Sequence, residues 1–261
     1  MDITNYLTYD LPVPYKNINI YPATVKDYVL FNAYVRCLTL NKNEIPDAKV
    51  ISMSNLDYIL YATEQNVNEQ PYLYWFDRLL AMCLKDDETF IKIEDSLKRY
   101  GYNKDNKAIF MIGEEIYNSR DFDKIKTIIC EQNLVDLPDE NVSKEVRDSL
   151  DEAVDYKNKL AGNKPGNFED YIISISIATG WTLEYIYSLT IRKFIKSIRR
   201  LDNLIHYKIY LASSMSGMVE FKDKSFIKHW LTNLEKENKY EEVELDLDKM
   251  KGTVSLESAK K

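Results

Sequence analysis

The sequence has few of the residues that build compact chemical sites. It contains only two histidines, three cysteines and seven scattered glycines. Two histidines exclude a histidine-rich metal centre, and single glycines do not form a glycine-rich phosphate-binding loop. Cys37, Cys83 and Cys130 are far apart, each within an apolar helical pattern. We therefore predict buried thiols, with no disulfide framework, no metal site and no cofactor.

Long apolar runs are also missing. No run approaches the roughly 20 residues that a membrane-spanning helix needs, and residues 1–5 lack the basic and apolar regions of a signal peptide. We expect a protein that stays in the cytoplasm in which it is made and has no membrane partner. The net charge of -7 makes nucleic acid an unfavoured partner, because binding to phosphates depends on basic residues.

A high content of large side chains favours a folded protein. Apolar residues make up 45% of the chain, and 20 tyrosines and 9 phenylalanines are unusual for disorder. The fold class that the pattern predicts is mainly α with a small β element. We divide the chain into a helix-rich α+β domain with a short antiparallel sheet (1–134), a charged linker (135–166), an all-α helical cluster (167–234) and an acidic tail (235–261).

The first segment of the chain combines prolines with apolar residues. Residues 11–22 are too rich in proline for a central strand, so we predict an extended arm or edge. Thr24 with Asp27 fits a capping box, and the following run predicts a helix to about Leu40.

Further helix starts and a small sheet follow. Ser54 with Asp57 fits a second capping box, and Pro71 marks the start of a third helix. Short apolar runs at 90–93 and 108–112 predict two strands, with a third at 116–117. A helix from about residue 120 should take Ser119 as its N-cap.

Two helix starts occur close together near residue 180. Gly180 suits the left-handed end of a helix, and Thr182 and Thr190 suit the N-caps of the next two. Two hydrophobic staples are expected, Trp181 on Ile186 and Leu189 on Phe194. The last helix should run on until residue 216.

This last helix is amphipathic. Its basic residues are Arg192, Lys193, Lys196, Arg199 and Arg200. A solvated face is the favoured interpretation, an acidic partner comes second and nucleic acid last. Its opposite side carries a stripe of isoleucines, leucines and one phenylalanine.

Catalytic constellations are not evident. Asp202 and His206 are one helical turn apart and predict an exposed pair, whereas His229 beside Trp230 predicts a packing pair. Adjacent carboxylates such as Glu114 and Glu115 point in different directions on a helix. We assign no catalytic residue and expect a protein that is not an enzyme.

Two stretches resemble phage proteins. Residues 177–181, continued by Tyr185, Ile186, Leu189 and Phe194, are similar to the Gly-Trp corner of tail assembly chaperones of tailed bacteriophages. The opening at residues 11–24 resembles proteins of the contractile-phage baseplate and tail assembly group. This resemblance implies an assembly factor that binds tape-measure, tube or baseplate subunits, in the host cytoplasm, and it implies no catalytic residues.

The stripe on the last helix is too long for a small helical cluster to cover. We expect its surplus, with the segment that follows and the acidic tail, to dock an amphipathic helix or strand of a client. The predicted partner-binding residues are Trp181, Ile198, Ile205, Ile209, Met215, Met218 and Phe221. A second copy of the chain is a further candidate partner. Two alternatives stay open: a permanent component of the virion baseplate or connector, and a nucleic-acid-handling protein that uses the basic face.

Overall fold

The computed structural model describes residues 3–42, 47–65, 70–85, 99–138, 146, 148–150, 152–153, 166–216 and 229–232. The protein is mainly helical with two small antiparallel sheets, which confirms the predicted fold class. The chain forms two units, of which unit 1 comprises Met1–Asn141 with Thr179–Ile195, and unit 2 comprises Val142–Ala178 with Lys196–Lys261. The predicted domain division stays a prediction. Within the described ranges, no helix is long and apolar enough to cross a membrane.

The helices and strands follow one another along the chain. In order they are α1 (Thr4–Tyr9), β1 (Val13–Tyr15), β2 (Ile18–Ile20), a 3-10 turn (Val25–Asp27), α2 (Tyr28–Tyr34), a second 3-10 turn (Val35–Cys37), α3 (Ala48–Ile51), α4 (Asn55–Glu64), α5 (Tyr72–Leu84), β3 (Tyr100–Tyr102), β4 (Ala108–Ile112), β5 (Glu115–Asn118), α6 (Ser119–Asn133), α7 (Phe168–Thr179), α8 (Leu183–Ser188) and α9 (Ile191–Met215).

The proline-rich opening forms a hairpin where the sequence predicts an arm or edge. Strands β1 and β2 pair antiparallel, with Val13 opposite Ile20. Both of these side chains are completely buried. Pro14 is tolerated because each strand of a two-stranded sheet has a free edge that needs no amide donor. Burial of one face of the hairpin thus orders this segment.

Aromatic side chains from two strands and two helices form the centre of unit 1. The ring of Phe76 on α5 lies 5.6 Å from Phe110 on β4 and 5.0 Å from Phe122 on α6. Tyr117 on β5 stacks on Phe110 at 5.2 Å. All four rings are almost completely buried, so this cluster joins the three-stranded sheet to the helices.

The start of α4 and the start of α5 agree with the sequence. Ser54 caps α4 by accepting a hydrogen bond from the amide of Asp57, and α5 begins directly after Pro71. Strands β4 and β5 confirm two of the predicted strands. The predicted strand at 90–93 lies outside the described residues.

Two predicted helix starts need correction. The helix from Thr24 is interrupted, since 3-10 turns flank α2 on both sides, and the Thr24 hydroxyl bonds to the Asp27 carboxylate, not to an amide. Asn118, not Ser119, caps α6, because its side chain accepts from the amides of Arg120 and Asp121. Asparagine and serine caps use the same chemistry, so the sequence placed this start one residue late.

The corner near residue 180 is built as predicted. Gly180 has a left-handed backbone with φ 74°. Thr182 accepts a hydrogen bond from the amide of Tyr185 at 3.3 Å, and Thr190 accepts one from the amide of Lys193 at 3.2 Å. Helix α9 ends at residue 215. The two staple contacts stay predictions.

Candidate protein-interaction surface

The start of α9 is fixed on the core of unit 1. Thr190 forms an isolated antiparallel bridge with Thr24, and the amide of Ile191 donates to the carbonyl of Ala23 at 3.0 Å. Ile191 and Phe194 follow, and both are buried. The first turn of α9 is therefore part of a packed unit.

The apolar stripe of α9 changes from buried to exposed along the helix. Ile191, Phe194, Ile198, Ile205 and Ile209 share one face because they are spaced by three, four and seven residues. Phe194 is 0% exposed and Ile198 is half-buried. Ile205 is 47% exposed and Ile209 is 53% exposed. The C-terminal half of the stripe is thus an apolar surface open to solvent.

The predicted partner-binding residues belong to different parts of the chain. Ile198, Ile205, Ile209 and Met215 are in unit 2, and Met215 is 77% exposed. Trp181 is half-buried in unit 1, where its ring packs edge-on against Tyr185 at 5.2 Å. Met218 and Phe221 lie outside the described residues. The role of all seven residues in binding a partner stays a prediction.

Helix α7 carries exposed apolar residues that were not assigned from the sequence. Ile172 and Ile175 are buried, whereas Ile173 and Ile177 on another side of the helix are 45% and 81% exposed. The sequence of α7 could have indicated this exposure. A helix that is apolar on several sides has more apolar surface than one neighbour can cover.

Helix α8 exposes a second group of apolar residues, within unit 1. Ile186 is completely buried, but Leu183, Tyr185 and Tyr187 are all more than 40% exposed. The sequence analysis considered Ile186 and Trp181 at this corner and missed these three. Tyrosine combines apolar area with a hydroxyl, so it is common at protein interfaces.

The basic side of α9 is partly occupied by groups of the protein itself. Arg192 donates to the backbone carbonyl of Glu131 at 2.7 Å, and Lys193 forms an ion pair with Asp10 at 2.7 Å. Arg200 donates to two backbone carbonyls of unit 2. The face that was predicted to be solvated is therefore used in part for contacts within the protein. These cations are less available to the phosphates of a nucleic acid.

The three cysteines are free and buried. Burial raises the pKa of Cys83 and that of Cys130 to about 12 each, and raises the pKa of Cys37 well above its usual value. Such thiols stay protonated at neutral pH and act as small apolar side chains. Within the parts of the chain that the structure describes, no group of three or more His, Cys, Asp or Glu side chains could hold a metal ion.

Both histidines make contacts along α9. The Nδ1 atom of His206 lies 3.4 Å from a carboxylate oxygen of Asp202, and both side chains are more than half exposed. This confirms the predicted exposed pair. The ring of His229 packs on Tyr207 at 5.2 Å and lies 6.1 Å from the ring of Trp230, as expected of a packing pair.

Comparison with known proteins gives one family similarity. Residues 159–235, which include α7, α8 and α9, match the family model of the YomV second domain, and YomV is a phage-related protein family. Searches of curated proteins and of solved structures returned no match. The chain thus has a phage-protein resemblance over its C-terminal part, in the same region as the exposed stripe.

Proposed function

We propose that this chain is a non-enzymatic phage assembly protein that acts as a chaperone by binding an amphipathic helix of another phage protein. The observation that carries the proposal is the change of the α9 stripe from buried at Phe194 to half exposed at Ile205 and Ile209. The similarity of residues 159–235 to a phage-related family supports a role in a phage. A tape-measure protein is the first candidate client, because such proteins are long and helical; tube and baseplate subunits are the others.

The exposed stripe suits a helical client. Two helices pack when apolar residues on one face of each interlock. Ile198, Ile205 and Ile209 share one face because they are separated by seven and four positions. Full burial of one isoleucine contributes about 1.5–3 kcal/mol. Ile205 and Ile209 are already about half buried, so each would add only part of this contribution. After the cost of association, such a gain is in keeping with the weak, reversible binding expected of a chaperone.

The decisive experiment measures binding of a purified tape-measure segment by calorimetry. We expect Ile209→Glu to weaken binding by about tenfold or more, since a charge would have to be buried in the interface. Ile116→Glu is the matched control, because Ile116 is 56% exposed on β5 against 53% for Ile209. Equal binding by both variants and the unchanged protein would show that the α9 stripe is not the interface.

The principal alternative is a permanent baseplate or connector component. Purified mature particles distinguish the two, since a chaperone should be missing from them and a structural part should be present in a fixed, symmetric copy number. A role in handling nucleic acid is less supported, because Arg192, Lys193 and Arg200 already bind groups of the protein.

A further inference from the structure

One side of α9 is used for contacts within unit 2, and the apolar stripe lies on the other side. The carbonyl of Trp230 accepts hydrogen bonds from Arg200 and Asn203, at 3.0 Å each. Each residue advances about 100° around a helix, so Arg200 and Asn203 lie on the side of α9 opposite to Ile205 and Ile209. The stripe therefore faces away from this contact.

A carboxylate lies within the stripe. Asp202 follows Ile198 by four residues and precedes Ile205 by three and Ile209 by seven, so the four side chains share one face of α9. The side chain of Asp202 is 69% exposed. A helix that covers both Ile205 and Ile209 must therefore also cover Asp202.

The carboxylate of Asp202 can bind a further donor. One of its oxygens lies 3.4 Å from Nδ1 of His206, which is one turn further along α9 and 51% exposed. An ionised carboxylate has two oxygens and accepts several hydrogen bonds. The contact with His206 therefore leaves Asp202 able to bind a cation from another helix.

The group that faces Asp202 in a complex decides whether covering it is costly. A charge that is removed from water destabilises the complex unless it is paired and hydrogen-bonded. The side chain of arginine or lysine supplies both the opposite charge and the donors. A polar group at one position of an apolar helix interface is a known means of fixing register and partner.

We infer that Asp202 is the specificity-determining residue of the stripe and that it selects a helix with an arginine or lysine within its apolar face. The inference rests on the proposed function, since it requires a helix that docks on the stripe. Charge complementarity defines the partner, which has apolar residues opposite Ile205 and Ile209 and a cation opposite Asp202. A helix with an acidic or apolar residue at that position is disfavoured, because the carboxylate would be covered without a partner.

Two designed amphipathic helical peptides test this inference. They share one sequence with an isoleucine stripe and differ only at a central position of that stripe, which is arginine in one peptide and glutamate in the other. We expect the full-length protein to bind the arginine peptide about tenfold more tightly, measured by calorimetry at about 0.15 M ionic strength. Asp202→Lys should reverse this preference, and Asp202→Asn should reduce it severalfold.

The matched control is a charge reversal at an exposed aspartate elsewhere. Asp105 is exposed in the turn between β3 and β4, so Asp105→Lys makes the same change of net charge away from the stripe. It should leave the preference for the arginine peptide unchanged. Because Asp105 and Asp202 are both exposed, unchanged circular dichroism should verify that each variant is folded.

The outcomes separate this inference from the proposed function. Equal binding of the two peptides, or equal effects of Asp105→Lys and Asp202→Lys, would overturn the role of Asp202. If Ile209→Glu still weakened both peptides in that case, docking on the stripe would stand. If neither peptide bound, the docking surface and the inference would both be wrong.

Discussion

At the scale of single residues, Asp121 joins the first hairpin to the start of α6. Its carboxylate accepts hydrogen bonds from the hydroxyl of Tyr15 at 2.8 Å and from the backbone amide of Asn118 at 2.9 Å. It also pairs with the ammonium group of Lys16 at 2.7 Å. Burial raises the pKa of Asp121, but the bonds from Lys16, Asn118 and Tyr15 lower it by more, so its pKa lies below the usual value.

This lowered pKa predicts how Asp121 contributes to stability as pH changes. The contribution is complete above the unfolded-state pKa of about 3.9 and is lost as the pH falls through the lower folded-state pKa. We expect Asp121→Asn to lower the free energy of unfolding by about 1–3 kcal/mol at neutral pH, with a smaller difference in acid. Urea unfolding at several pH values measures this effect.

The control for this prediction is an exposed aspartate of the same unit. Asp105 is exposed in the turn between β3 and β4, so Asp105→Asn should change stability little at any pH. A loss of stability in Asp121→Asn that does not depend on pH would contradict the assigned role of the carboxylate.

Residue-level chemistry could be predicted from sequence only where both partners are local. Thr182 and Thr190 accept hydrogen bonds from amides three residues away, and both caps were predicted. The bond between Asn17 and Tyr117 joins residues 100 positions apart. No local pattern indicates such a contact, because it exists only after the hairpin packs on the sheet.

At the scale of elements, the corner between α7 and α8 depends on Gly180. Its φ of 74° is a conformation that costs a residue with a Cβ atom about 1–2 kcal/mol, and an added Cβ would meet nothing within 4 Å. We therefore expect Gly180→Ala to lower the free energy of unfolding by about 1–2 kcal/mol through backbone conformation alone. Denaturant unfolding of the full chain measures this change.

Gly101 supplies the comparison. An added Cβ there also meets nothing within 4 Å, but Gly101 pairs in strand β3 without a left-handed backbone. Gly101→Ala should therefore be neutral or slightly stabilising, because alanine restricts the unfolded chain. If both substitutions change the free energy of unfolding equally, the left-handed backbone of Gly180 is not what makes its replacement costly.

Element boundaries were predictable where capping chemistry decides them and failed where tertiary contacts do. Helix α5 begins directly after Pro71 as expected. The helix predicted from Thr24 instead contains 3-10 turns. The backbone around Thr24 is held by hydrogen bonds to residues that are distant in the sequence. The amide of Val25 donates to the carbonyl of Leu189, and that of Ala23 donates to the side chain of Asn133. Such distant bonds override a local helical preference.

The candidate surface could be predicted only in part, because local spacing identifies an apolar face but not the contacts that bury it. Helical spacing identified the stripe that contains Ile205 and Ile209, and both are about half exposed. Spacing alone does not show which end of a stripe is buried, and the bond from Ile191 to Ala23 decides that for α9.

At the scale of the whole molecule, unit 1 is built from two separate stretches of chain. Residues 179–195 join it through the bridge between Thr24 and Thr190 and through the buried side chains of Ile191 and Phe194. A break of the chain in the predicted linker would therefore leave both pieces contributing to one core. Noncovalent packing between the two pieces, and not the covalent continuity of the chain, should therefore decide whether they separate.

Limited proteolysis followed by size-exclusion chromatography tests this arrangement. We expect cleavage between about residue 135 and residue 167, with the two fragments eluting together under native conditions and apart in denaturant. The reason is that Ile191 and Phe194 of the second fragment remain buried in unit 1. Phe194→Asp, which places a charge in that core, should release the fragments after cleavage. Separate elution of the unsubstituted fragments would contradict the packing of residues 179–195, and absence of cleavage would show that the predicted linker is wrong.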